Sequence, residues 1–532
     1  MTADLDTLAD RVYAPGGEVL PDRQAWIGGA AAVADGGGDR FGRSRELFEE
    51  RVCWLEGVEA AGLDHGELEA RLELDARTLF CQLYQDHLDL RAARERPIEE
   101  RVCGSDGARR GRVERGHRRS LETVFGEVGF SRIAYRAKAH GNLCPADGAL
   151  NLPVEKHSHG LRRMCAVEAA RGSYDDAVAA VTRASAQRLG KRQVEELTRS
   201  AAVDFESFYA QRASACGEPG GVLVLSCDGK GVVMLPGALR EQTRRQAEKS
   251  TSKLQARLSK GEKRGRKRMA EVGAVYDATP VIRTAADVLP ANDAERQAAV
   301  AGPVAASKWV TASVVDDAAT VVGQIFDEAE RRDPAHQRTW AALVDGNQHQ
   351  IDRIDKEAKA RGVQVRIICD FVHVIEYLWS AAWSFHTEGD PAAETWVHRH
   401  AREILRGNAT KVAGQIRRAA TTRHLDAAQR KNADTCANYL TNKAKLLDYP
   451  TALSNGWPIA TGVIEGACRH VVKDRMDITG ARWGLDGAEA ILKLRAIITN
   501  NDFDQYWTHH LTQQRHRVHE SRYANHIIPH AA

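Results

Sequence analysis

The sequence predicts an α/β protein whose core is a sheet of five strands. Three short apolar runs are each followed directly by an aspartate, and these aspartates are Asp228, Asp345 and Asp370. Apolar runs of this length are typical of strands that are buried on both faces. Helical spacing of apolar residues separates the last two runs, and strands that alternate with helices are typical of α/β proteins.

Two further strands are predicted after the first run, at residues 269–279 and 308–315, and helices are predicted at 316–332 and 347–361. The order is therefore strand, strand, strand, helix, strand, helix, strand, helix. This order is found in ribonuclease-H-like folds, where three strands meander and later strands join in parallel through helices. Since parallel strands end at the same edge of a sheet, carboxylates that follow them are expected to converge there.

Asp228 taken alone has a simpler interpretation. An aspartate followed by Gly229 is typical of a tight hairpin turn. A carboxylate at the end of a buried strand can instead meet a ligand or a metal ion at the sheet edge. The second interpretation gains weight only because other carboxylates are predicted to reach the same place.

A chain of 532 residues is longer than one ordinary domain. Changes in composition and periodicity divide it into five segments. They are a helical region at 1–105, a β-hairpin with a helix-turn-helix-like DNA-binding region at 106–215, the first part of the core at 216–383, a helical insertion at 384–452 and the last part of the core at 453–532.

The region before the core carries signs of nucleic-acid contact. A basic run at 109–119 leads into an alternating pattern at 122–137, which predicts a hairpin. Such a run suits contact with phosphates, although a solvated charged loop is an equal alternative. Two helices at 173–189 and 191–200, separated by Gly190, are similar to a helix-turn-helix, and plain packing of two helices is the alternative.

The basic insert at 239–268 is the most strongly charged part of the chain. It holds twelve Lys or Arg against three Glu, a local net charge of +9 in a chain whose overall formal charge is +3. A dense basic segment between two strands indicates a polyanion partner. The candidate DNA contacts are Lys230, just before the insert, and Arg264, Arg266, Lys267 and Arg268 at its end.

A second candidate surface lies on a helix predicted after the insertion. Glu465, Arg469 and Lys473 follow one another at a spacing of four, which places them on one face of an α-helix. A carboxylate and two cations on one face suit a metal ion and a phosphate backbone. The alternative is an ordinary ladder of ion pairs facing solvent.

Other features carry less information about function. The ten cysteines include no Cys-x-x-Cys pair, so they are expected to be reduced. Neither a signal peptide nor an apolar run long enough for a membrane span is found, which predicts a cytoplasmic protein without membrane contact. A zinc cluster of His140, Cys144, His157 and His159 is a weak alternative because its spacing matches no usual finger. The histidines near the C-terminus, from 509 to 519, are predicted to lie on the surface of an amphipathic helix.

Taken together, these stretches resemble the DDE transposases of bacterial insertion sequences, and specifically the ISKra-type group of the Mutator-like superfamily. The resemblance runs from about residue 108 to the C-terminus, and the order and spacing of the motifs are more specific than any one of them. The matching stretches are Thr123-Val-Phe-Gly126, Asn151-Leu-Pro153, Leu225-Ser-Cys-Asp-Gly-Lys-Gly-Val232, Lys267-Arg-Met-Ala270, Val275-Tyr-Asp277, Val344-Asp-Gly346, Cys369-Asp-Phe-Val-His373, Gly462-Val-Ile-Glu-Gly466 with Lys473 and Arg475, Thr479-Gly-Ala-Arg-Trp483 and Tyr506-Trp507.

The resemblance implies that Asp228, Asp345 and Glu465 are a catalytic triad that binds metal, with two Mg²⁺ or Mn²⁺ ions as cofactors. It also implies a supporting role for Asp370 and His373, which match an Asp-x-x-His signature near the site. A histidine that only packs on its helix is the alternative for His373.

The resemblance further implies that DNA is the partner, both as element ends and as target. Lys230, Arg469, Lys473 and Arg475 are the candidates to pair with phosphates near the site. A dimer or a higher oligomer is expected because two element ends must be held together, and the protein would associate with the nucleoid when bound to DNA. Two alternatives remain open: a ribonuclease-H-like nuclease or resolvase, and an inactive DNA-binding protein descended from a transposase.

Overall fold

The computed structural model describes residues 39–185, 187–212, 221–249, 265–478 and 480–530. The chain forms two compact units, which divide after Arg91. The first unit consists of helices α1 (Gly42–Glu56), α2 (Val58–Ala61) and most of α3 (His65–Arg94). These helices agree with the helical region predicted at 1–105, of which residues 1–38 lie outside the described part of the chain. Within the unit, Ser44 Oγ donates a hydrogen bond of 2.5 Å to the buried Asp86 carboxylate.

The second unit begins with β-structure that corrects one prediction. Strands β1 (Val102–Cys103) and β2 (Arg109–Arg110) pair with each other, and β3 (Arg112–Glu122) pairs antiparallel with β4 (Glu127–Arg136). The hairpin exists, but most of the basic run forms its first strand, whereas the sequence predicts that the run precedes the hairpin. Arg112, Arg115 and Arg118 are exposed along β3, whose register with β4 shifts between Glu114 and His117, so the cations lie on a paired strand.

Five helices follow, and their bounds are α4 (Pro145–Ala149), α5 (His159–Arg171), α6 (Tyr174–Ser185), α7 (Lys191–Ala201) and α8 (Phe205–Gln211). Helix α6 ends at Ser185, four residues earlier than predicted. The Ser185 Oγ donates a hydrogen bond to the Val181 carbonyl oxygen. Helix α7 buries Val194, Leu197 and Ala201 in the core, while its opposite face is exposed. Helices α6 and α7 therefore pack on the core through apolar side chains. Contact of α7 with DNA bases stays a prediction.

The centre of the second unit is a mixed sheet of five strands in the order β7-β6-β5-β8-β9. Its strands are β5 (Val222–Val233), β6 (Lys267–Ala278), β7 (Ala305–Ser313), β8 (Thr339–Val344) and β9 (Val365–Cys369). Strands β5, β6 and β7 are antiparallel, and β8 and β9 join β5 in parallel. The α/β class and the predicted strands are confirmed.

Strand β5 corrects the predicted position of Asp228. The strand does not end before this aspartate but continues to Val233, and Asp228 pairs with Val272 on β6. It is thus neither a hairpin turn nor the end of a strand. The pairing of β5 with β8 stops at Ser226. At Asp228, β5 therefore pairs with β6 on one side and no longer pairs with β8 on the other.

Helices cover both faces of the sheet. Helix α9 (Glu241–Glu248) lies in the basic insert between β5 and β6. Two short helices, α10 (Ala285–Val288) and α11 (Asp293–Ala298), lie between β6 and β7. Helices α12 (Ala318–Arg332), α13 (Gln348–Arg361) and α14 (Phe371–Ala382) connect or follow the last strands. Asp317 caps α12 by accepting from Thr320 N, and Gly362 ends α13 in the left-handed conformation that glycine favours.

The segment at 384–452 is helical, as predicted. Its helices are α15 (Pro391–Leu405), α16 (Ala409–Thr422) and α17 (Lys431–Asn442), followed by α18 (Tyr449–Ser454). Asp390 caps α15, and Pro391 stands in its first turn, where a missing N–H costs no hydrogen bond. Buried residues of these helices belong to the same apolar cluster as β5, β8 and α14, so the segment shares a core with the sheet.

The C-terminal part covers the other sheet face together with α5–α8. It comprises α19 (Gly462–Ala467), a π-helical segment (Cys468–Lys473), α20 (Asp474–Met476), α21 (Leu485–Thr499) and α22 (Phe503–Val518). The prediction of surface histidines here is wrong for two of them. His510 is buried against Asp204, with 2.7 Å between Nδ1 and the carboxylate, and the buried His519 donates to the Leu152 carbonyl oxygen. Asp204 and Leu152, which precede the sheet in the chain, make these contacts, and periodicity within the C-terminal segment could not show them.

His159 makes the stability of this packing sensitive to pH. Its Nε2 donates to the Asn151 carbonyl oxygen, 2.6 Å away, and its Nδ1 accepts from Arg162 Nη1, 3.1 Å away. A proton added at Nδ1 would face the guanidinium, and burial lowers the pKa of His159 to about 4. Between pH 6.5 and 4 the unfolded chain therefore binds more protons, so stability falls as the pH falls through this window, by on the order of 3 kcal/mol.

We expect the variant His159→Gln to lose part of this pH dependence. The measurement is the free energy of unfolding at pH 7 and pH 4.5, in wild type and variant. His65→Gln is the control, because the His65 side chain is 95% exposed. An equally steep decline in His159→Gln and wild type would contradict the assignment.

No described helix combines the length and the apolar character needed to cross a membrane.

Candidate functional site

Three aspartates lie at one level of the sheet. Ser226 pairs with Leu343, so Asp228 and Asp345 each stand two residues beyond this pair. Val344 pairs with Cys369, and Asp370 N then donates to the Val344 carbonyl oxygen over 2.8 Å. Asp345 and Asp370 thus follow the ends of β8 and β9, and Asp228 stands at the same level within β5, where its pairing with β8 has stopped.

Asp228 is held between its own strand and the helix that follows the insertion. Its Oδ1 accepts from Gly229 N over 2.6 Å, and its Oδ2 lies 3.3 Å from Cys468 Sγ, whose thiol donates to it. Burial raises the pKa of the Cys468 thiol, and the Asp228 charge raises it further, so the sulfur keeps the proton it donates. No sequence pattern indicates this thiol contact, since a lone cysteine in a helix is usually only packed.

Glu465 is brought to the aspartates by this contact. It lies on α19, one turn before Cys468, and its side chain is exposed. Partial loss of hydration beside its helix raises the pKa of the Glu465 carboxyl, and the negative charges of Asp370, Glu376 and Asp228 raise it further. Glu465 therefore shares its surroundings with two of the three acids at the sheet edge.

The helix around Glu465 is not a regular α-helix. Cys468–Lys473 forms a π-helical segment, which has an i→i+5 hydrogen-bond pattern and is frequent at functional sites. The predicted spacing of four for Glu465, Arg469 and Lys473 assumed an α-helix and does not hold through this turn. All three side chains are nevertheless exposed.

Asp345 is positioned by the helical insertion. Its Oδ1 accepts from Asn347 N over 2.7 Å, and its carbonyl oxygen accepts from the Tyr439 hydroxyl over 3.1 Å. Tyr439 belongs to α17 and stacks on Tyr377 with ring centroids 4.2 Å apart. The insertion therefore contributes a contact to the loop that carries one candidate catalytic residue.

Gly346 allows Tyr439 to approach this closely. Its φ is +95°, and a Cβ at this position would lie 2.9 Å from the Tyr439 ring. We expect Gly346→Ala to lower the free energy of unfolding by about 2–3 kcal/mol, through backbone strain and displacement of the ring. Gly362→Ala is the matched control, since Gly362 also has a positive φ but open space around it, and we expect a loss of about 1 kcal/mol there. Equal losses in thermal or denaturant unfolding would contradict the role of Tyr439.

Asp370 and His373 occupy the start of α14. Asp370 is 3% exposed, its Oδ1 accepts from Val372 N over 2.7 Å, and its Oδ2 accepts from the Thr461 hydroxyl. His373 Nδ1 lies 3.1 Å from the Glu376 carboxylate, and its ring contacts Tyr377. Asp370 thus connects α14 to the segment just before Glu465, while His373 contacts Glu376 and Tyr377 on its own helix and the ring of Tyr439 on α17, with 6.1 Å between ring centroids.

The donor set suits a hard divalent cation, because carboxylate oxygens are the ligands that Mg²⁺ and Mn²⁺ prefer. The raised pKa of Glu465 comes partly from the carboxylates of Asp370 and Asp228, whose repulsion a cation would relieve. Within the described part of the chain, however, no three His, Cys, Asp or Glu side chains are close enough together to hold a metal ion. Asp228, Asp345 and Glu465 would have to turn toward one another to do so. The weak zinc alternative around His140 gains no support from the described residues either.

The candidate DNA contacts differ in how they are placed. Lys230 and Lys267 are exposed on β5 and β6, and Arg266 is half-buried just before β6. Arg268 is partly turned inward, since its Nε donates to the Val314 carbonyl oxygen over 2.6 Å. Arg264 lies outside the described residues.

Arg475 corrects a prediction. It is 2% exposed, its Nε donates to the Ala169 carbonyl oxygen over 2.8 Å, and its guanidinium lies over the rings of Tyr174 and Trp483. Such a residue joins helices in the interior and cannot reach a DNA phosphate. Arg469 and Lys473 are exposed on the same helical segment, and the Arg469 side chain is 72% exposed.

Comparison with protein-family models finds no match, and comparison with curated proteins finds none of significant similarity.

Proposed function

We propose that this protein is a DDE-type DNA transposase that cuts and joins DNA at the ends of an insertion sequence. The observation that carries the proposal is the placement of Asp228 and Asp345 at one level of the sheet, with Glu465 one helical turn before Cys468, whose thiol contacts Asp228. Glu465 lies on a helix that follows an all-helical segment, which is the place the resemblance gives to the third acid.

The topology supports a ribonuclease-H-like core. Three antiparallel strands in chain order, then two parallel strands added on the other side of β5, give the sequence of neighbours β7-β6-β5-β8-β9. This is the arrangement of strands that the sequence predicts for such a core. In the proposal, residues 384–452 are an insertion into this core and residues 106–215 are a DNA-binding region.

The chemistry would be phosphoryl transfer at a phosphodiester. Asp228, Asp345 and Glu465 would hold two Mg²⁺ or Mn²⁺ ions, which when bound supply charge stabilisation for the attacking and leaving oxygens. Cys468 and Gly229 fix the orientation of the Asp228 carboxylate, and Tyr439 fixes the loop of Asp345. The three side chains would still have to turn toward one another to hold the ions.

The exposed cations beside the acids would hold DNA. Lys230 lies two residues after Asp228 on β5, and its charge acts to lower the pKa of the nearby Cys468 thiol. Arg469 and Lys473 follow Glu465 along the helix. Each can pair with a backbone phosphate. An oligomer that holds two element ends is part of the proposal, and so is the basic hairpin β3–β4 as a further DNA contact.

The test is an assay with Mg²⁺ on plasmid DNA that carries the gene's flanking sequences. A transposase cleaves at the element ends and joins the released 3′-ends to a second DNA. Cleavage without any joining would favour the nuclease or resolvase, and binding to the flanking DNA without cleavage would favour the inactive descendant. Absence of both binding and cleavage would refute the proposal.

A further inference from the structure

An apolar groove of about 460 Å³ lies between α1 and α3 in the first unit. Phe41 and Phe48 line it from the side of α1, and Leu79 and Leu83 line it from α3. Phe48 is 53% exposed although it lies on this groove. A large aromatic side chain at the edge of an apolar groove marks a surface that another protein segment can cover.

The first unit has little apolar core of its own. Among its described residues, the buried apolar side chains are those of Leu47, Ala60 and Leu88. Leu55 and Leu72 are 43% and 40% exposed. Because small helical units bury a low fraction of their apolar surface, they gain stability when a second surface covers what remains. The groove is therefore suited to a protein partner.

The side of α1 that faces the groove has the residue spacing of a helix that pairs with another helix. Phe41, Arg45, Phe48, Val52 and Leu55 follow one another at intervals of four, three, four and three residues. Such alternation places side chains along one narrow seam of a helix. Val52 is half-buried and Leu55 is exposed, so the seam continues past the groove toward the end of α1.

The charges beside Phe48 favour a second copy of this chain as the occupant. Arg45 and Glu49 line the groove one helical turn apart, and both are exposed. Within the described residues, Glu49 has no ion-pair partner, and Arg45 pairs with the exposed Asp39 over 2.8 Å. Along the groove the order is thus cation, Phe48, anion. An antiparallel copy of the same helix presents the reverse order, as a two-fold axis requires.

We propose that the groove binds α1 of a second copy, so that two chains form an antiparallel, two-fold symmetric dimer through their first units. In this arrangement Arg45 of each copy faces Glu49 of the other, and Phe41 faces Val52. The Phe48 side chains lie at the centre of the contact. The proposed function includes an oligomer, and this inference goes beyond it by naming the surface that forms one.

Sedimentation of the full-length protein at physiological salt, without DNA or metal, tests this proposal. We expect wild type to sediment with twice the 58.5 kDa of one chain and to dissociate on dilution. Phe48→Glu should weaken the dimer at least about thirtyfold, because it places a carboxylate of each copy in the apolar contact. Val58→Glu is the matched control and should leave the dimer unchanged, since Val58 is 93% exposed in the same unit and does not line the groove.

Two charge reversals test the antiparallel arrangement. Arg45→Glu and Glu49→Arg each bring like charges together across the axis, and each should weaken its own dimer about tenfold. An equimolar mixture of the two variants should recover a dimer of wild-type affinity, because each chain then carries the charge that the other requires. Mixing cannot repair damage within a single chain, so recovery is specific to a contact between copies.

A wild type that is monomeric at every concentration would overturn the proposal, and so would equal weakening by Phe48→Glu and Val58→Glu or a mixture that fails to recover the dimer. If wild type were monomeric and a variant lacking residues 2–38 dimeric, the occupant would be the chain's own N-terminal segment. Phe48, Arg45 and Glu49 are exposed, so their variants should keep the wild-type circular dichroism. Since neither DNA nor metal is used, a negative result would leave the transposase assignment to its own test.

Discussion

Replacement of Asp228 or Asp345 by Asn, or of Glu465 by Gln, is expected to reduce DNA cleavage and joining by at least about a hundredfold each. Each change removes a negative charge that the proposed cations need, while it keeps the size of the side chain. In Asp228→Asn the amide oxygen can still accept from Gly229 N, while the amide nitrogen replaces the oxygen that accepts from Cys468, so the side chain keeps its size and one of its two hydrogen bonds. The measurement is the rate of cleavage and of strand transfer with Mg²⁺.

A matched control is Asp355→Asn, which neutralises an exposed carboxylate on α13, outside the candidate site. We expect this variant to keep full activity and all four variants to keep the wild-type thermal unfolding midpoint. Full activity in any one of the three site variants would remove that residue from the triad. Loss of activity together with loss of the folded state would instead assign the residue a structural role.

The second large effect is expected at Asp370, which is a structural support of the site. Asp370→Ala removes the cap of α14 and leaves Val372 N and the buried Thr461 hydroxyl without their acceptor. The loss of a cap and of a buried hydrogen bond together should lower the free energy of unfolding by about 2–4 kcal/mol. Because Thr461 directly precedes the helix of Glu465, this helix should also become less ordered, as hydrogen exchange of its amides would measure.

Two variants separate these contributions. Asp370→Asn keeps an oxygen for the cap and should recover most of the stability. Asp390→Ala removes the cap of α15, where the Asp390 side chain is 37% exposed, and should cost only about 1 kcal/mol. If Asp370→Ala cost no more than Asp390→Ala, the buried bond to Thr461 would contribute nothing to stability.

Local pattern was sufficient for most of the secondary structure. The apolar runs of β8 and β9 and the cap of α15 at Asp390-Pro391 are set by neighbours in the chain, so the sequence predicts them. The length of β5 was misjudged because Asp228-Gly229 is locally a turn signal. Pairing with β6 along the whole strand overrides that signal, and the partner residues are 34 to 56 positions away.

Periodicity and residue type, which are local properties, were enough to predict the α/β class, the order of strands and helices, and the acids that follow the parallel strands. Three other features became visible only in the folded chain: Cys468 contacts Asp228, Tyr439 supports the loop of Asp345, and Arg475 is buried between aromatic rings. The first two contacts join residues that are 240 and 94 positions apart, and the third places Arg475 against a helix from the other half of the chain. No local pattern encodes which surfaces meet when the helices pack on the sheet, because that choice depends on the shape and burial of both partners at once.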